Sequence, residues 1–121
     1  MSRLMRYGST VRRNFKIRWG LRGGVVEDHH VIPKMWRNHA VVTQFGYDVD
    51  ASHNIIMMPT KLGSRVLNVR KERMTHDGPH VKYNRYVGTL LDSIKTEDDL
   101  YYLRDFLKGV CRYGHDTIPW T

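Results

Sequence analysis

The sequence predicts a small α+β domain. Three observations carry that reading: two amphipathic helical stripes in the last third, an apolar run Ile55-Ile56-Met57-Met58, and a strand-like alternation from Phe15 to Leu21. At 121 residues the chain has room for one compact domain. Its hydrophobic share of 40% supports a modest core, which would gain from a staple such as a bound metal or a partner.

Taken in order, Phe15, Ile17, Trp19 and Leu21 alternate with Lys16, Arg18 and Gly20, the pattern of a strand with one basic face. Gly23-Gly24 marks a turn, and Val25-Val26 is a β-prone pair leading into Asp28-His29-His30. Pro33 suits the first turn of a helix from about Lys34 to Gln44, with Trp36, Ala40 and Val41 or Val42 facing inward and Gly46 ending it. Asp48 to Asn54 is polar and loop-like. The run Ile55 to Met58 reads as a short buried strand closed by Pro59. Lys61 to Arg73 is basic and fits either a turn of helix or a strand. Gly78-Pro79 opens a helix carrying Tyr83, Tyr86, Val87, Leu90, Leu91 and Ile94 at helical spacing. A second helix starts at Thr96, with Asp99 in an imperfect capping box and an apolar stripe of Leu100, Leu103, Phe106, Leu107 and Val110. The tail from Gly114 to Thr121 reads as irregular.

The formal net charge is +8, and it is unevenly placed: Met1 to Val26 holds seven Arg/Lys and no Asp/Glu. Such a balance points to a polyanionic partner. No apolar run approaches the roughly 20 residues that span a bilayer, and the start lacks the apolar core of a secretory signal. An Arg-rich, acid-free start also fits an organelle transit peptide. The single cysteine, Cys111, excludes an intrachain disulfide and any Cys-rich zinc site, and it suits a reducing compartment. The expected location is therefore intracellular, in cytoplasm or nucleus. Any metal would have to be held by histidine and carboxylate.

Four of the seven histidines form two groups, His29-His30 and His76/His80, with Asn54 between them in His53-Asn54-Ile55-Ile56. Adjacent side chains on an extended segment point opposite ways, but on a curved loop they can converge on one site. Pro79 disfavours helix through residues 75 to 79, which places His76 in an entry loop and His80 in the first turn. Both can still reach one ion, and neutral imidazoles on a cation leave positions for water and a phosphate oxygen. Each pair alone is more often a chance neighbour or a solvated helix face. The order carries more: H-H-x-x-P, then Asn before an apolar strand, then two histidines around the opening of a helix.

That order resembles the HNH/endonuclease VII superfamily, in particular its AHH-type branch. The resemblance runs from Glu27 to Pro33, through Gly46 to Pro59, and from His76 to Val87, a span of about half of the chain. It departs from the branch at Asp28, where a small residue is usual. The resemblance implies a ββα-metal core, a β-hairpin and a helix clasping one divalent cation. Residues 25–95 would form this core, 1–24 a basic N-terminal extension with the strand, and 96–121 an added C-terminal helix and tail. It further implies His30 as general base and His29, His76 and His80 as metal ligands. Asn54, counted with His30 in the catalytic set, would fix the loop or the imidazole. Asp28 would be a partner of a ligand histidine or an extra ligand.

The expected activity is metal-dependent hydrolysis of DNA phosphodiester bonds with weak sequence preference. An imidazole titrates near neutral pH and can take a proton from water, and a cation can relieve charge on the phosphate. Lys16, Arg18 and Arg22 on the basic face, with Lys61, Arg65, Arg70, Lys71 and Arg73, would neutralise flanking phosphates. Zn²⁺, Mg²⁺, Mn²⁺ and Ni²⁺ all stay open as the ion. Nucleic acid is the expected partner, DNA before RNA, with no membrane; a homodimer and an inhibitor protein stay open. The alternative is a non-catalytic nucleic-acid-binding module whose histidines hold a structural metal. Asp48 and Asp50 read as turn formers, and His39, His53 and His115 as ordinary structural histidines. Tyr83, Tyr86, Tyr101 and Tyr102 read as core or rim aromatics.

Overall fold

A computed structural model describes residues 5–21, 24–67, 75–76, 80–113 and 118–120. The elements are α1 (Thr10–Arg18), β1 (Val26–His30), α2 (Ala40–Gln44), β2 (Ile55–Pro59), α3 (Lys61–Val66), α4 (Val81–Leu91) and α5 (Glu97–Tyr113), with 3₁₀ turns at Lys34–Trp36 and Ser52–Asn54. The α+β class is as expected: β1 and β2 form an antiparallel pair, and helices cover it.

The first element corrects the sequence reading. The stretch expected to be a strand is largely helix α1. Ser9 caps it by accepting the Arg12 N–H at 3.1 Å, and Gly20, at φ +70°, ends it in the left-handed region. Among the described residues this segment pairs with neither strand; β1 and β2 pair with each other. The alternating Phe15, Ile17 and Trp19 consequently stay exposed, at 38%, 48% and 66%. What α1 buries is Arg12, through an ion pair with the sheet.

The connection between the strands corrects a second expectation. The single helix from Lys34 to Gln44 is a 3₁₀ turn followed by the short α2. His39 separates the two, accepting the Val41 N–H on Nδ1 at 3.1 Å as the N-cap of α2. Val41 and Val42 are buried and Trp36 packs on the core, but Ala40 is exposed. Gly46, at φ +60°, follows α2 as predicted.

The strand register pairs Val26 with Pro59, Asp28 with Met57 and His30 with Ile55. Of Lys61 to Arg73, residues 61–66 are helical and 68–73 lie outside the described residues. Gly78-Pro79 also lies outside them, and α4 begins at Val81 with His80 as its N-cap. Thr96 accepts the Asp99 N–H at 3.1 Å, the expected half of a cap. Tyr83, Val87 and Leu91 of α4 meet Leu100, Leu103, Leu107 and Cys111 of α5 over Ile56 and Met58. Phe106, expected in the α5 stripe, is 42% exposed. Ile118 of the tail is buried in the same core. No helix among the described residues is long and apolar enough to cross a membrane.

Candidate active site

The pleat of β1 sends neighbouring side chains to opposite faces. Glu27 and His29 take one face, Asp28 and His30 the other, so the adjacent histidines serve two different environments. His30 opens on a cleft of about 230 Å³, which the His29 face reaches through its neighbours His76 and His80. Asp28, His30, Lys34, His76, His80 and Asn84 are among the residues that line it.

On the first face, His29, His76 and His80 each bring one nitrogen within 4.8 Å of the others. Their ring centroids are 5.0–5.1 Å apart. The outer nitrogens are engaged: His76 Nδ1 bonds Glu27 Oε2 at 2.8 Å, and His80 Nδ1 bonds Asn84 Oδ1 at 2.8 Å. Each bond fixes a tautomer that leaves Nε2 as a lone-pair donor. His29 is fully buried; Cys111 Sγ lies 3.5 Å from its Nε2, and its Nδ1 is buried with no hydrogen-bond partner. An orphaned buried nitrogen beside two others with free lone pairs fits a cation.

Burial pushes the His29 pKa well below its ordinary value, and the neighbouring His76 and His80 push the same way. Burial, then His76, lowers that of His80. His29 and His80 therefore resist protonation, which preserves their metal-binding lone pairs. Stability follows with a definite sign. Above about pH 6.5, the ordinary value, these histidines are neutral folded or unfolded. Below it the unfolded chain takes up protons that the fold refuses, and stability falls with pH. His30 and His53, both lowered chiefly by burial, add to the effect. With chelator present, Tm is expected to drop steadily from pH 7.5 to pH 5; a flat or rising Tm over that range would contradict the linkage.

On the second face, His30 Nε2 bonds Asp50 Oδ1 at 2.9 Å. Burial lowers the His30 pKa, and Asp50 opposes that shift. The Tyr7 ring meets the imidazole edge-on at 4.6 Å. Asn54 does not touch the imidazole; it holds the loops beside it. Its Oδ1 accepts from Ile32 N–H at 3.0 Å and Tyr47 O–H at 2.7 Å, and its Nδ2 donates to Ile32 O at 3.0 Å and Val49 O at 2.7 Å.

Asp28 is placed differently from the expectation. It partners no ligand histidine: Arg12 holds it at 2.7 and 3.0 Å and Lys16 at 2.9 Å. Burial raises its pKa, but the two cations outweigh that and leave it below the ordinary value. Lys16 is thereby an ion-pair partner of the sheet, whereas Arg18, Lys61 and Arg65 are exposed. Arg22, Arg70, Lys71 and Arg73, with His115, lie outside the described residues.

Several site residues escaped the sequence reading. In sequence, Asp50 reads as a turn former only. Trp120, in the tail read as irregular, packs with its ring centroid 4.8 Å from that of His80 and 5.2 Å from that of His29, and no local pattern marks it. Glu27, Lys34 and Asn84 were also missed; only Asn84, four after His80 on a helix, had a usable spacing. His39 and His53 have ordinary structural partners, Asp92 and Arg104.

A family model described as a nuclease family of the HNH/ENDO VII superfamily with conserved AHH matches residues 20–105. Comparison with curated proteins and comparison with solved structures returned no match.

Proposed function

Since the chain belongs to the AHH family of nucleases, within the HNH/ENDO VII superfamily, we propose that it is a metal-dependent endonuclease acting on DNA with little sequence preference. The observation that carries this is the division of labour across β1: a histidine cluster suited to a cation on one face and a hydrogen-bonded imidazole on the other, both reaching one cleft.

His29, His76 and His80 would hold the ion, which when bound supplies Lewis acidity to the phosphate and the departing oxygen. His30 takes a proton from water as the water oxygen bonds to phosphorus and the bond to the 3′ oxygen breaks. Lys34, in the same cleft, adds positive charge where the phosphate must sit. Arg18, Lys61 and Arg65 are exposed cations for flanking phosphates, contacts that read no sequence and weaken with salt. The all-imidazole donor set favours Zn²⁺ or Ni²⁺ for affinity, although phosphoryl transfer also runs on Mn²⁺ and Mg²⁺.

The full burial of His29 and the Trp120 ring over the cluster favour a second reading, a structural ion in a binding module. One assay separates them. Supercoiled plasmid is incubated with the protein and Mg²⁺, Mn²⁺, Ni²⁺ or Zn²⁺, and with chelator. Nicking with at least one ion, abolished by chelator, is expected. Binding of the plasmid without nicking under all four ions would leave only the structural reading.

A further inference from the structure

We infer that Asp50 is the positioning residue for His30: its carboxylate holds Nε2–H, fixing the imidazole in the tautomer and orientation that present Nδ1 to water. The inference rests on the proposed role of His30 as base and extends it to a residue that turn chemistry alone would explain.

Four features support it. The Nε2 to Oδ1 distance of 2.9 Å is that of a direct hydrogen bond, and Asp50 engages the ring nitrogen that a base acting through Nδ1 does not use. A neutral imidazole has one N–H and one lone pair, so anchoring the N–H to a carboxylate decides where the lone pair is. Asp50 is itself held on several sides. Its N–H bonds Asp48 Oδ1 at 3.0 Å, its carbonyl accepts the Tyr7 N–H at 2.9 Å, and its neighbour Val49 is tied to Asn54. Its second oxygen, Oδ2, lies 3.9 Å from Arg6 and 3.8 Å from Arg37, so the carboxylate turns Oδ1 to the histidine and Oδ2 to the guanidinium groups.

Arg6 and Tyr7 precede the stretch matched by the family model. The N-terminal segment thus helps to hold the Asp50 loop, and its Tyr7 ring closes on the imidazole from another side. The buried Arg12–Asp28 pair fixes that segment to β1.

The test compares plasmid nicking by the wild type, Asp50→Asn, Asp50→Ala, His30→Ala and the double variant His30→Ala/Asp50→Ala, with Zn²⁺ binding followed by calorimetry. Asp50→Asn keeps the shape, so it serves if Asp50→Ala does not fold. In it, Arg6 and Arg37 would draw the amide oxygen to themselves and leave the NH₂ facing Nε2, which selects the wrong tautomer. Both single variants are expected to lower kcat about tenfold or more, part of the ~10²–10⁴-fold that a general base contributes. KM and Zn²⁺ affinity should stay within about twofold. The double variant should cut no more slowly than His30→Ala, because a residue acting through His30 has nothing left to act on. A wild-type kcat in both Asp50 variants, with His30→Ala inactive, would overturn the positioning role and leave the base intact. A double variant slowed by the full product of the two single effects would overturn it as well. Wild-type cutting by His30→Ala would instead remove the base and this inference with it.

Discussion

Replacing His30 with alanine is expected to leave the ion bound and slow cutting by about 10²–10⁴-fold, the usual contribution of a general base. His80→Ala is expected to lose the ion and, with it, the cutting. The contrast follows from the two faces of β1. His30 is bonded to Asp50 and is not one of the three clustered histidines, whereas His80 is. His30 is itself buried, so a thermal melt accompanies the assay to show that His30→Ala folds; Asp50, freed of its partner, is 21% exposed at its side chain and stays close to Arg6 and Arg37. His80 is a better probe of the cluster than His29. His29 is fully buried, so its removal would mix a cavity into the result. His80 is only partly buried. Losing one of three ligands should weaken affinity by more than the roughly 10–100-fold typical of an outer partner. Calorimetry with Zn²⁺ on both variants reads this directly. Equal loss of Zn²⁺ binding in the two, or unchanged cutting by His30→Ala, would sink the assignment of separate roles.

The parts of this site that were legible in the sequence depend on order along the chain. The His29-His30 pair means little by itself. It gains weight from Asn54 ahead of an apolar run and from His76 and His80 at the start of a helix. The two strands were legible because Val25-Val26 and Ile55 to Met58 are short, β-prone and bounded by turn residues. The stripes of α4 and α5 were legible because each buries one face against the other.

Where reading failed, tertiary structure decided. Phe15, Ile17 and Trp19 alternate as a strand would, yet a strand needs a neighbour to satisfy its backbone, and this segment pairs with neither β1 nor β2. A helix supplies its own hydrogen bonds, and Arg12 then ties it to Asp28. Asp28 itself stood beside the histidines in sequence but on the opposite pleat from His29, which put its carboxylate with Arg12 and Lys16. Asp50 and Trp120 could not be found locally. Their partners are 20 residues away and 40 or more residues away respectively, and nothing in a polar loop or a short tail announces a contact at that range.

Asn54→Ala is expected to cost about 3–5 kcal/mol, a large share of the 5–15 kcal/mol by which a domain of this size is stable. Asn54 is fully buried, and both of its side-chain polar atoms make two hydrogen bonds. Alanine would leave the Ile32 N–H, the Tyr47 O–H and the Ile32 and Val49 carbonyls without those partners, and each stranded group costs roughly 1–3 kcal/mol when water cannot reach it. The costs will not add fully, because the loops can relax. For 121 residues the loss corresponds to a Tm lower by more than about 10 °C. Tyr47→Phe removes a single bond and leaves Oδ1 with Ile32, so about 1 kcal/mol is expected there. Activity should fall further in Asn54→Ala than the unfolded fraction explains. Ile32 follows His30 by two residues and Val49 precedes Asp50, so the same amide holds the strand end that carries the base and the loop that carries its partner. Thermal melts and nicking rates measured well below the variant's Tm test both halves. A Tm within about 3 °C of wild type would show that water or a rearranged loop replaces the four bonds, and the account of Asn54 as the brace of the site would fail.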